Sequence, residues 1–136
     1  MTNESIACNL NTVFRAFDFQ KENNLIAYSS ANLVCILDQW HIKGKYPKVL
    51  FTLNGHSERV NAVRWISHDI LISISVDKSI IIWTYIDDPK VHNNWKIAQR
   101  IENAHNQSIN QLTVLSLNEN ELYFATMCMG GTLKFW

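Results

Sequence analysis

The middle of the chain alternates short apolar runs with polar breaks. Leu71-Ile72-Ser73-Ile74-Ser75 is followed by the break Val76-Asp77-Lys78 and then by a second β-branched run, Ser79 to Trp83. Such runs, bounded by turn residues, favour extended backbone, because a restricted χ1 suits a pleated surface better than a helix. The pattern predicts strands at Asn61–Ile66, Ile70–Ser75, Ser79–Tyr85 and Lys96–Ile101. The last follows a polar loop, Ile86 to Trp95, that contains Asp87-Asp88-Pro89. Upstream, Asn24–Ser29 and Leu33–Asp38 read the same way, as do Ile109–Leu117, Leu122–Thr126 and Gly130–Trp136 downstream. No run has helical periodicity.

The runs repeat. Gly55-His56, Trp65, Ser73, Asp77 and Trp83 return in order as Ala104-His105, Leu117, Thr126, Gly130 and Trp136, so that His56 and His105 lie 49 residues apart and Trp83 and Trp136 lie 53 apart. Asn24 to Asp38 is a degenerate earlier copy, with Leu37 where the tryptophan would sit and Ala31 where the hairpin aspartate would be. A period of this size built from short strands predicts an all-β chain of radially repeated four-stranded antiparallel sheets, a partial β-propeller. The units fall at about 12–53, 54–101 and 102–136, with the last incomplete. Closing a ring takes at least about four such sheets, because an open arc leaves strand edges unpaired. The expectation is therefore an N-terminal fragment, a truncated product or a chain completed by another polypeptide, with the fragment preferred.

Composition narrows the function. Of 136 residues, 12 Lys and Arg balance 12 Asp and Glu, giving a net charge of zero. This argues against a nucleic-acid or membrane-surface module, whose affinity begins with a basic field. No segment approaches the roughly 18 apolar residues of a membrane span, and no basic stretch followed by an apolar run opens the chain, so neither a membrane partner nor a signal peptide is expected. Cys8, Cys35 and Cys128 form no C-x-x-C pair, which fits a reducing cytosolic or nuclear setting. His41, His56, His68, His92 and His105 show no ligand spacing, so no metal or other cofactor is expected.

His56, Ser73, Asp77 and Trp83 carry the most chemistry. The spacing Gly-His, then Ser four residues before Asp and Asp six before Trp, resembles the WD40 repeat, in which His, Ser or Thr, Asp and Trp form a hydrogen-bonded tetrad. An imidazole between a turn carboxylate and a strand hydroxyl satisfies both ring nitrogens, while the indole packs over the group and donates its one N–H. His105, Thr126 and Trp136 form a partial tetrad, with Gly130 in the carboxylate position. Ser, His and Asp are also the residue types of a catalytic relay. A nucleophile must reach solvent, however, and the spacing is already explained by a structural network, so no catalytic residue is assigned.

Leu53 to Ile66, reading LNGHSERVNAVRWI, together with Ile6 to Asn9 and Leu25 to Tyr28, is similar to the N-terminal part of the second-subunit family of the Elongator complex. The resemblance implies a non-catalytic scaffold, cytoplasmic and nuclear, with other Elongator subunits as partners in tRNA wobble-uridine modification and transcription elongation. The alternatives are a WD40 adaptor of another complex and a propeller face that binds tRNA directly, which the neutral charge disfavours. Glu58 and Arg59 fall on the expected partner-binding rim, against a plain reading as a solvated loop. Trp40 and Trp95 stand in polar connections, either as partner anchors or as caps of their own sheets.

Overall fold

A computed structural model describes residues 10–13, 15–38, 48–118 and 121–136. The chain is a meander of antiparallel strands divided among three sheets. The first sheet contains β1 (Phe17–Gln20), β2 (Leu25–Ser30), β3 (Leu33–Asp38) and β4 (Lys48–Asn54), in that order. The second contains β5 (Val60–Trp65), β6 (Ile70–Ser75), β7 (Ile80–Tyr85) and β8 (Trp95–Ile101). The third contains β9 (Ile109–Asn118), β10 (Glu121–Cys128) and β11 (Leu133–Phe135). One 3-10 turn, His92–Asn94, precedes β8. Among the described residues, no helix is long and apolar enough to cross a membrane.

Strand β6 is unbroken by exposed positions because it is covered on both faces. Leu71 packs toward the first sheet with Leu25, Val34, Ile36 and Leu53, while Ile72 and Ile74 pack toward the third sheet with Ile109, Leu112 and Phe124. This explains a run richer in apolar residues than the alternation of a half-exposed strand. Gly55 is fixed by the same packing. A Cβ there would lie 2.7 Å from Trp83 Cη2 and 2.9 Å from Ile81 Cδ1, inside any real contact distance.

The first sheet departs from the sequence expectation in two ways. Strands β1 and β4 complete it, although neither was anticipated; β1 is four residues long and only Gln20 at its end is buried. Its hairpin is also shorter. Ser30 pairs with Leu33 across Ala31 and Asn32, whereas Ile74 pairs with Ile80 across residues 75–79. Ala31 therefore does not stand in for the hairpin aspartate. It turns at φ 50°, and its backbone N–H and C=O bond the Asn11 side chain. In register, Tyr28 opposite Cys35 takes the place that Ser73 opposite Ile81 holds in the second sheet. Tyr28, Cys35 and Leu37 form an apolar cluster where the second sheet has a polar network.

Candidate functional site

The hairpin between β6 and β7 brings all four predicted residues of the second unit together. Trp83 Nε1 donates to Ser73 Oγ at 2.8 Å, and Ser73 Oγ lies 2.8 Å from His56 Nε2. His56 Nδ1 is 3.1 Å from Asp77 Oδ2. One assignment of hydrogens satisfies every atom: the indole donates to the hydroxyl, the hydroxyl donates to Nε2, and Nδ1–H donates to the carboxylate. Asp77 is also held from its own turn. The Ser57 N–H donates to Oδ2 at 3.0 Å, and the Ser79 N–H and hydroxyl donate to Oδ1 at 2.9 and 2.7 Å. Sequence reading missed Ser79; the signal was the Asp-x-Ser spacing, which lets an aspartate bond backbone and hydroxyl two residues on.

The electrostatics suit a structural role. Burial pushes His56 below its ordinary value, against the pull of Asp77, so the ring is neutral near pH 7. Burial also opposes ionisation of Asp77. The hydrogen bonds from Ser79, the neighbouring His56 and the Ser57 N–H outweigh it and bring the carboxyl down to about 2. Ser73 is fully buried, and its oxygen is committed to both the imidazole and the indole.

The third sheet repeats the arrangement without its carboxylate. Trp136 Nε1 donates to Thr126 Oγ1 at 2.9 Å, and Thr126 Oγ1 lies 2.8 Å from His105 Nε2. His105 Nδ1 is buried and has no hydrogen-bond partner among the described residues. Burial, and then the nearby Lys134, push this histidine below its ordinary value.

The expected contact residues separate. Glu58 and Arg59 are exposed on the loop that enters β5. Trp95 is not a partner anchor: it is 9% exposed, donates Nε1 to Pro89 O at 2.8 Å and packs against Phe51, Trp65 and Tyr85. The polar loop that made it look accessible folds over it. Trp40 lies outside the described residues, as do Cys8, His41 and Ile6 to Asn9. Among the described residues, no three His, Cys, Asp or Glu side chains converge as a metal site would require.

This is the fold of consecutive blades of a WD40 β-propeller. Residues 47–84 match the family model "WD domain, G-beta repeat". The crystal structure of the RRP9 WD40 repeats aligns with a TM-score of 0.67 at 20% identity, covering 88% of this chain and 32% of that one. Among individual proteins, the chain is similar to Elongator complex protein 2 of Drosophila melanogaster, 30% identical over 132 residues, or 97% of this chain and 15% of the relative. Elongator complex protein 2 of Dictyostelium discoideum is 27% identical over 128 residues, or 85% of this chain and 13% of the relative. The chain thus spans a small part of the length of these relatives.

Proposed function

We propose that this chain is a non-catalytic scaffold, part of an Elongator-type second subunit, which works by holding exposed surfaces in place for other protein subunits. In this reading it supports tRNA wobble-uridine modification in the cytoplasm, with a second location in the nucleus, and takes no cofactor. The observation that carries the reading is the His56–Ser73–Asp77–Trp83 network. Its polar atoms satisfy one another inside the sheet, so the residues with catalytic chemistry are used for cohesion. The likeness to two Elongator complex protein 2 sequences over most of the chain supports the choice of assembly. Depleting the protein and measuring modified wobble uridine in bulk tRNA by mass spectrometry tests this. Modification should fall and return with the wild-type gene; unchanged modification would remove the Elongator assignment.

A further inference from the structure

Arg59 has a rigid base and an unspent charge. The Val76 N–H and the Ser75 hydroxyl both bond Arg59 O, at 3.0 and 2.9 Å, and the next residue, Val60, donates its N–H to Ala31 O. The side chain is braced as well. Arg59 Nε donates to Asn61 Oδ1 at 3.1 Å, and the 5% exposed Asn61 amide is itself locked by donating to Ile109 O at 2.7 Å and Ser108 Oγ at 3.2 Å. Only Nε of the Arg59 guanidinium has a hydrogen bond among the described residues, and none of its nitrogens is in an ion pair among them. Arg59 lines a pocket of about 190 Å³ with Val13, Asn61, Ser108, Asn110 and Met129, none of them acidic. It also lines a second pocket, of about 360 Å³, that includes Glu58.

We propose that the first pocket takes the carboxylate side chain of a glutamate or aspartate from an extended segment of a partner protein. Guanidinium and carboxylate match in charge and in planar, two-bond geometry through the terminal nitrogens, since Nε is occupied. Val13 and Met129 offer apolar surface to the aliphatic stem, while Asn110 and Ser108 add neutral hydrogen-bonding groups. A single cation with neutral donors suits a monoanion; a phosphoryl dianion would be left with uncompensated charge. Glu58 makes the second pocket unfavourable to another acid, so the neighbouring ligand residue is neutral or basic. Because the backbone and Nε are already fixed, binding costs little ordering.

The inference rests on the reading of the chain as a protein-binding scaffold, and its test separates the two. The intact protein and its Arg59→Ala and Arg59→Lys variants are presented with nonapeptide pools carrying a fixed central Glu, Gln or phosphoserine. The Glu pool should be retained about tenfold better than the Gln pool by wild type, with the preference abolished in Arg59→Ala and weakened in Arg59→Lys at unchanged melting temperature. Equal retention of the Glu and Gln pools, retention of neither, or a preference that survives Arg59→Ala overturns the proposal. Stronger retention of the phosphoserine pool overturns the carboxylate assignment. Partner subunits co-purifying with wild type while the peptide preference is absent would leave the scaffold reading standing; no co-purifying subunits would remove it.

Discussion

Replacing Gly130 by aspartate should complete the unfinished network of the third sheet. Gly130 stands four residues after Thr126 and six before Trp136, the spacing that Asp77 keeps to Ser73 and Trp83. The recipient atom is waiting, since His105 is 1% exposed and its Nδ1 has no partner among the described residues. Leaving such a group unpaired costs about 1–3 kcal/mol. The left-handed turn residue is the next one, Gly131 at φ 77°, so position 130 accepts a side chain without backbone strain. The new Cβ would approach Gln107 Nε2 to 3.2 Å, a contact that an exposed side chain relieves by a small rotation. Removing a glycine adds about 0.5–1 kcal/mol through the unfolded chain, against part of the desolvation of the new carboxylate. The net gain should be about 1–2 kcal/mol, or roughly 5 °C in melting temperature. Urea denaturation of Gly130→Asp, Gly130→Ala and each combined with His105→Phe isolates the pair. Coupling of about 1 kcal/mol between positions 130 and 105 is expected, with the His105 titration moving upward in the aspartate variant. An aspartate variant no more stable than the alanine variant, or zero coupling, would refute the reasoning.

Three further outcomes follow from the same geometry. Gly55→Ala forces a methyl into the Trp83 ring and the Ile81 side chain, and should destabilise the protein by about 1–3 kcal/mol in equilibrium unfolding. Asp77→Ala removes the acceptor of the Ser57 and Ser79 N–H groups and leaves His56 Nδ1 with the Ser79 hydroxyl alone, so a loss of about 1–3 kcal/mol is expected by the same assay. Burial holds His56 and His105 below the ordinary 6.5, so the unfolded chain takes up protons first, and stability should be lost as pH falls below that value. Asp77, lowered from 3.8 to about 2, acts in the same sense at lower pH: its contribution is present above 3.8 and disappears toward 2. Urea midpoints measured between pH 8 and pH 5 check the histidine part, and a midpoint that rises on acidification contradicts it.

What could be read from the sequence was local. The tetrad lies on one hairpin and its approach loop, so fixed spacings of four and six residues in the text became distances near 3 Å in space. Features that depend on a neighbouring sheet were hidden. Trp95 sits among polar residues in the chain but beneath Pro89 and beside Phe51 of the first sheet in space. Strand β1 alternates Phe17 and Phe19 with polar residues but is only four residues long and leaves both phenylalanines exposed; its place is set by pairing with β2 and by the Asp18 bond to the Trp65 N–H of the second sheet. Asn61 reads as an ordinary polar strand residue. Only its bonds to Ile109 and Arg59 disclose that it joins two sheets and aims a cation. The degenerate first unit misled by one feature: a shortened hairpin placed Tyr28, not a small hydroxyl residue, beside Leu37.

The central claim, that the chain acts by holding surfaces for other proteins and performs no chemistry of its own, is tested most directly by tagging the endogenous locus and identifying the purified product and its companions by mass spectrometry. The account predicts recovery of the remaining Elongator subunits in stable proportion. Recovery with an unrelated assembly would keep the scaffold role and remove the Elongator assignment; recovery of the protein alone would contradict the central claim.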